Sequence, residues 1–374
     1  MQRFQQAAIL KDLNKKIVFL VGPRQVGKTW LSKNIAQAFF KNSLYLSYDK
    51  ITDREIIKKQ AWLPTCDLLI LDELHKMEDW KNYLKGLYDT KPENMKILVT
   101  GSARLDTFQH IGDSLAGRYF LHHLLPFSLA ELNQISEILD IEKLQERGGF
   151  PEPYLAENIL EANRWRLQYV NSLLSTDVFE FEQINNMRAI KLLFELLRHR
   201  VGSTISYQSL AEDIAISPIT VKKYIEILEA LYIIFRITPY SKNIARSLLK
   251  EPKIYFFDTA LVQGDEGAKF ENFVALSLLK HVYGKVDYLA EEYVLHYLRT
   301  KDGLEVDFAL VKENTVMQIL EAKLSDSKIN APLKYFHQKY NYPAVQIVKY
   351  LQNEFLSGDI EVLNAKKFLT SLFL

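Results

Sequence analysis

Residues Lys16 to Leu31 read KIVFLVGPRQVGKTWL. Ile17 to Val21 is an apolar, β-branched run with the composition of a buried strand, and it stops at Gly22. Pro23, Arg24, Gln25 and Val26 form a loop, followed by Gly27, Lys28 and Thr29. From Thr29 the spacing turns helical, with Leu31, Ile35 and Ala36 on one face. Strand, G-x-x-x-x-G-K-T, helix is the pattern of a phosphate-binding loop. Gly22 and Gly27 carry no Cβ, so backbone N–H groups can close around a polyphosphate. The Lys28 ammonium is placed to reach the β- and γ-phosphates and the Thr29 hydroxyl to ligate Mg2+. The positive end of the following helix faces the same anion. Gly22, Pro23, Arg24, Gln25, Val26, Gly27, Lys28 and Thr29 are therefore expected to bind nucleotide.

Strand and helix patterns alternate after this loop. Ser43 to Ser47, Asp67 to Leu71, Lys96 to Thr100 and Tyr119 to Leu125 read as further strands, which predicts a parallel sheet covered on both faces. Ligands of such sheets gather at the carboxyl ends of the strands, where Asp72, Glu73, Thr100 and Ser102 fall. Asp72 closes an apolar strand and is expected to hold Mg2+, and Glu73 to polarise an attacking water. Thr100 or Ser102 is expected to sense the γ-phosphate, each also being a plausible helix cap. Arg118, in DSLAGRYF, is expected to act as an arginine finger toward a neighbouring subunit, which implies a homo-oligomer. His122 and His123 are adjacent on a strand, point to opposite faces and do not make a paired metal site.

The whole chain bounds these readings. Its 374 residues suggest two or three domains, and 48% hydrophobic with 25% charged residues is an ordinary globular composition. A formal net charge of +1 means that any nucleic-acid surface must be a local patch. The single cysteine, Cys66, excludes a disulfide scaffold and fits a reducing, cytoplasmic setting. Neither a signal peptide nor a membrane span is expected.

RGGFPEPYL, from Arg147 to Leu155, has the glycines and prolines of a boundary. Helices are expected over 163–179 and 187–199. Tyr207 to Ile214 and Ile219 to Leu231 then form two helices across the turn Ile216-Ser217-Pro218, followed by a strand from Ile233 to Thr238. This is the pattern of a winged helix-turn-helix. Lys222 and Lys223 lie on its second helix, and Lys242, Arg246, Lys250 and Lys253 follow, which makes DNA the favoured nucleic-acid partner. Glu226 and Glu229 on the same helix oppose that reading, and winged helices also serve as protein-binding modules.

Farther on, a strand is expected over 253–262 and an amphipathic helix over 269–283 carrying Glu271. A hairpin of Glu305 to Val311 and Val316 to Lys323 is joined by KENT. Glu321 and Lys323 are two apart and share a face, and the hairpin folds Asp307 beside them. Glu271, Asp307 and Glu321 as Mg2+ ligands with Lys323 assisting the nucleophile is the PD-(D/E)xK constellation of metal-dependent nucleases. Val306 stands where that motif has proline. Asp307 shares a face with Glu321 only if the pairing sum is even, which a four-residue KENT loop does not give. A loop of three or five residues, or a bulge, is expected instead.

GPRQVGKT, LDELHK, VTGSAR, SLAGRY and LLPFSLAEL, in this order, resemble the AAA-type ATPases of archaea and bacteria that carry a C-terminal DUF4143 domain. The resemblance covers nearly the whole chain. It implies an α/β P-loop AAA+-like core over 1–145 that binds ATP and Mg2+. A helical lid beginning at the GG-x-P segment and the winged helix would span 146–250, and a restriction-endonuclease-like DUF4143 domain 251–374. It supplies no settled substrate. The expected activity is ATP hydrolysis coupled to a domain that cuts or binds nucleic acid. The alternative is a signalling or assembly ATPase whose C-terminal domain is an inactive nuclease fold that binds protein.

Overall fold

The computed structural model describes residues 3–101, 115–134, 140–178, 186–241, 250–325 and 328–374. Ser102, Lys242 and Arg246 lie outside them. The chain forms two compact units, Met1–Leu125 with Ala230–Tyr232, and Pro126–Glu229 with Ile233–Leu374.

The first unit is built on a parallel five-stranded sheet of β1 (Ile17–Val21), β2 (Ser43–Ser47), β3 (Leu68–Asp72), β4 (Lys96–Gly101) and β5 (Tyr119–His123), in the order β2-β3-β4-β1-β5. The expected parallel sheet is thus present. Every residue of β1 is buried, as are Leu68 to Leu71 of β3, because both faces are covered. On one face Phe19 meets Trp80 and Tyr119 edge to face, with ring centroids 6.0 and 5.0 Å apart, and Leu71, Leu84 and Val99 pack into the same cluster. Each such buried side chain contributes about 1.5–3 kcal/mol. Helices α1 (Gln6–Leu13), α2 (Lys28–Phe39), α3 (Ile51–Lys59) and α4 (Trp80–Thr90) connect or flank the strands. β5 ends two residues earlier than expected. Leu124 N–H still donates to Val21 O at 2.8 Å, but the chain then leaves the ladder.

The second unit begins with a helical segment. The expected helix over 163–179 starts earlier, at Ile159, because Asn158 caps it by accepting from Glu161 N–H at 3.0 Å. It runs to Ser172 and continues as a π turn, Leu173–Asp177. Helices Met187–Arg198, Tyr207–Ile214 and Pro218–Ala230 follow. β6 (Ile234–Ile237) then pairs antiparallel with β7 (Lys253–Phe256), across the boundary expected at 250/251. β7 is shorter than expected because Asp258 accepts from Ala260 N–H at 3.1 Å and turns the chain into a 3-10 segment. The expected helix over 269–283 lengthens to Glu266–Leu289, capped at its start by Asp265. Residues 126–134, placed by sequence with the nucleotide-binding part, join this unit. Buried Lys280 on the long helix bonds Glu131 Oε2 at 2.5 Å and Pro126 O at 2.9 Å.

The long helix packs on a mixed six-stranded sheet of β8 (Tyr293–Arg299), β9 (Glu305–Lys312), β10 (Thr315–Lys323), β11 (Ala344–Val348), β12 (Phe355–Ser357) and β13 (Ile360–Asn364), in the order β12-β13-β11-β10-β9-β8. β9 and β10 join through a two-residue turn, since Lys312 and Thr315 both enter the ladder. The register then shifts between Val316 and Gln318, leaving Met317 as the extra residue. Beyond it Leu320 faces Phe308, so Asp307 lies across from Glu321. The shift is the expected bulge. Among the described residues no helix is long and apolar enough to cross a membrane.

Candidate functional sites

In the first unit the candidate site sits where β1, β3 and β4 end. Gly22 has φ +145°, and a Cβ there would stand 2.1 Å from Leu124 O, so only glycine fits. Gln25 and Gly27 also take positive φ, +62° and +101°, which curls the loop before α2 begins at Lys28. Arg3 braces it from behind, donating to Val26 O at 3.1 Å and to Leu125 O at 2.6 Å. The Lys28 side chain folds over the loop, its ammonium 2.8 Å from Gly22 O and 2.7 Å from Pro23 O. Burial pulls Lys28 down to about 8, against the opposing pull of Glu73 and Asp72. A buried cation set among carbonyls, beside a glycine cradle at a helix start, suits a polyphosphate.

Asp72 is held from two sides. Thr100 Oγ1 donates to its Oδ1 and the Tyr45 phenol to its Oδ2. Thr29 exerts only a small, opposing pull on the same phenol. Burial and Asp72 together push the phenol well above its ordinary pKa. Thr100, fully buried, therefore steadies Asp72 through its hydroxyl. Glu73 has φ +53°, a conformation that non-glycine residues adopt rarely and often at functional sites. Its N–H donates to Thr100 O at 2.9 Å, and His75 Nε2 lies 3.4 Å from its carboxylate. Burial, then Asp72, raises the Glu73 pKa, the direction a general base needs. Thr29, Asp72 and the loop N–H groups are the groups here that could hold a Mg2+ nucleotide.

Arg118 is not brought to this loop within its own chain. Ile17 N–H bonds Arg118 O, and Ile17 pairs with Tyr119, so Arg118 marks the amino end of β5. The loop follows the carboxyl end of β1, about 17 Å of strand away. The Arg118 guanidinium makes a two-pronged bond to Asp89, at 3.0 and 3.3 Å. Sequence reading passed over two residues of this site, Arg3 and Tyr45. For Tyr45 the available signal was strand alternation, which sets it on the face of Ser47, the register partner of Asp72.

In the second unit the four expected residues Glu271, Asp307, Glu321 and Lys323 converge, and the structure adds Lys253 and Tyr255 from β7. Asp307 Oδ2 accepts from Ala322 N–H at 3.1 Å, and Glu321 Oε2 from Asp307 N–H at 3.3 Å. Glu321 Oε1 accepts from Asn330 Nδ2 and pairs with Lys323, both at 2.7 Å. Tyr255 donates to Glu271 Oε1 at 2.7 Å. Burial and the neighbouring Asp307 carboxylate push Glu271 and Glu321 well above the usual carboxylate range. Burial alone would lower Lys253, but Glu271, Asp307 and Glu305 outweigh it and hold the ammonium charged. Among the described residues no group of three or more His, Cys, Asp or Glu side chains is arranged to hold a metal ion. Glu271 and Asp307, expected as ligands, instead share the Lys253 ammonium, while Glu321 is taken by Lys323 and Asn330. The sequence carries a signal for Lys253 only in hindsight, as a lysine opening an otherwise apolar strand.

The chain is similar to known proteins along most of its length. A family model described as an AAA domain matches residues 14–133, one for a domain of unknown function (DUF8612) matches 138–267, and a third, also a domain of unknown function (DUF4143), matches 266–368. The uncharacterized protein Rv2008c of Mycobacterium tuberculosis is 25% identical over 305 residues, covering 78% of this chain and 66% of that protein. The chain thus spans just under two thirds of that relative's length. An uncharacterized Haemophilus influenzae protein is 24% identical over 354 residues, 86% of this chain and 85% of the relative. Among solved structures, the Thermotoga maritima RuvB Holliday junction branch migration motor aligns with a TM-score of 0.34 at 18% identity, over 66% of this chain and 93% of that one. A STAND protein of Pyrococcus horikoshii with a tetratricopeptide repeat sensor aligns with a TM-score of 0.24 at 16% identity, over 76% and 46%. The AAA family match and the parallel sheet with its phosphate loop make the amino-terminal part of this chain an AAA-type, P-loop ATPase-like domain.

Proposed function

We propose that the protein is a Mg2+-dependent ATP hydrolase whose second unit engages a partner. The observation that carries the reading is the grouping at the strand ends: the buried Lys28 ammonium folded over the glycine loop, beside Glu73 and an Asp72 carboxylate held by Thr100 and Tyr45. Bound Mg2+ would neutralise phosphate charge. Lys28 and the loop N–H groups orient the polyphosphate, Asp72 and Thr29 fix the metal's place, and Glu73 takes a proton from the attacking water. The test uses two variants. Lys28→Ala should lose ATP binding, and Glu73→Gln should bind ATP but hydrolyse it about 100-fold or more slowly. Turnover by Glu73→Gln equal to the parent removes Glu73 from catalysis.

Nucleic acid, duplex DNA first, is the partner this reading assigns to the second unit. Exposed Lys222 and Lys223 on the Pro218–Ala230 helix, which follows the turn capped by Ser217, support it. Lys222 also lies 3.9 Å from Glu226, a contact that phosphate would have to replace. DNA binding with and without ATP, read as filter retention and as its salt slope, tests the assignment. Retention unchanged by Lys222→Ala with Lys223→Ala would move the partner to the protein class. Cutting of the duplex in Mg2+ or Mn2+, abolished by Asp307→Ala, would assign hydrolysis to the second centre.

A further inference from the structure

The carboxylates of the second unit already surround a cation, and it belongs to the chain. Lys253 Nζ lies 2.8 Å from Glu305 Oε1, 3.3 Å from Glu271 Oε1 and 3.4 Å from Asp307 Oδ1, with its side chain 1% exposed. Most of the remaining oxygens are engaged as well. Asp307 Oδ2 takes the Ala322 N–H, and Glu321 takes the Asp307 N–H, Asn330 and Lys323. Glu305 Oε2 pairs with Arg299 at 3.2 Å. A hard divalent ion needs several oxygens at about 2.0–2.6 Å. It would have to displace the ammonium from the same oxygens and then sit beside it, since the side chain has no exposed route to swing away. The residues that would make a metal-dependent hydrolytic centre therefore do not fit the metal while Lys253 stands among them.

We propose that Lys253 is the resident cation of this centre and excludes divalent ions from it. The second unit then keeps an acid and lysine set of hydrolytic type in a metal-free form, with the ammonium doing the charge balancing that Mg2+ does elsewhere. This assignment stands on the second unit alone and does not depend on the nucleotide site.

The consequence is that removing the charge at constant bulk should create a metal site. The experiment uses the full chain in an Asp72→Asn background, which takes the acidic ligand out of the phosphate-loop centre. Mn2+ is titrated by calorimetry. The Lys253-containing chain should show no saturable site. Lys253→Met should gain one, at least about tenfold tighter than any residual binding, and adding Asp307→Asn should abolish it. If Lys253→Met weakens the fold, thermal melting carries the same comparison: Mn2+ should raise its Tm, and not that of the Lys253 or Asp307→Asn chains. A saturable Mn2+ site in the Lys253 chain that Asp307→Asn removes overturns the proposal. So does a Lys253→Met chain showing neither Mn2+ binding nor an Mn2+-dependent melting shift.

Discussion

The Lys28 ammonium is held by two carbonyls in a buried loop, and its pKa falls from 10.5 to about 8. Burial therefore costs the folded free protein stability below pH 8, where the lysine is charged in both states. That cost fades between pH 8 and 10.5, where the unfolded chain binds the proton and the folded one does not. Nucleotide affinity runs the other way, because the polyphosphate needs the charged form. ATP affinity should be level up to pH 8 and then fall by up to about tenfold per pH unit, with proton uptake on binding measurable by calorimetry in buffers of different ionisation heat. A flat affinity profile from pH 7 to 10 would mean that Lys28 does not carry the phosphate. Tyr45 invites a second test, since its phenol donates to the Asp72 carboxylate. Tyr45→Phe removes one hydrogen bond to a charged group, worth about 1.5 kcal/mol or somewhat more. The Mg2+ concentration for half-maximal ATPase should rise by about tenfold, with turnover at saturating Mg2+ changed less. Equal losses of turnover at all Mg2+ concentrations would place Tyr45 elsewhere in the reaction.

At the scale of elements, the hairpin β9–β10 shows how a turn and a bulge together build a site. Its turn residues Glu313 and Asn314 have φ +48° and +63°, the sign pattern of a type I′ turn, for which Asn-Gly is favoured. Glu313→Asn should therefore raise the unfolding free energy by up to about 1 kcal/mol without touching the ladder, read as a higher Tm with an unchanged circular dichroism spectrum. A lower Tm would mean that the Glu313 side chain does something its backbone does not show. The same hairpin marks how far the sequence could be read. The period-two spacing of Glu321 and Lys323 was legible, and so was the need for an even register with Asp307. The bulge at Met317 that supplies it has no residue signature of its own. In the first unit all five strands were legible, the central β1, β3 and β4 most clearly, because strands buried on both faces write themselves as continuous apolar runs such as IVFLV and LLIL. Helix starts were misread where the cap, Asn158 or Asp265, stands several residues before the first apolar stripe. Lys253 was read as part of a basic surface stretch, because charge in sequence says nothing about which carboxylates will surround it. The carboxylates reach it from two other elements, Glu271 from the long helix and Glu305 and Asp307 from β9.

On the scale of the whole molecule, the position of Arg118 sets a condition on assembly. The residue immediately precedes β5, at the end of the parallel sheet opposite the phosphate loop, and its guanidinium is tied to Asp89 on α4. A strand cannot turn its amino end to its own carboxyl edge without unmaking the sheet, so Arg118 has no route to the nucleotide of its own chain. It can contribute to hydrolysis only from a second copy whose sheet edge meets the loop of the first. The Asp89 contact is a partly exposed surface pair, screened by solvent, so a phosphate can compete for the arginine. If the finger operates, Arg118→Ala and Lys28→Ala are each inactive for different reasons, and mixing them should restore activity. In a freely exchanging ring, a working site needs the loop of an Arg118→Ala subunit and the finger of a Lys28→Ala subunit. Equal mixing meets that condition at roughly a quarter of interfaces. ATPase activity near a quarter of the parent level, appearing only after mixing and rising with protein concentration, is the expected result. Full ATPase activity in Arg118→Ala, or a parent protein that turns over ATP while light scattering finds it monomeric, would show that hydrolysis is complete within one chain.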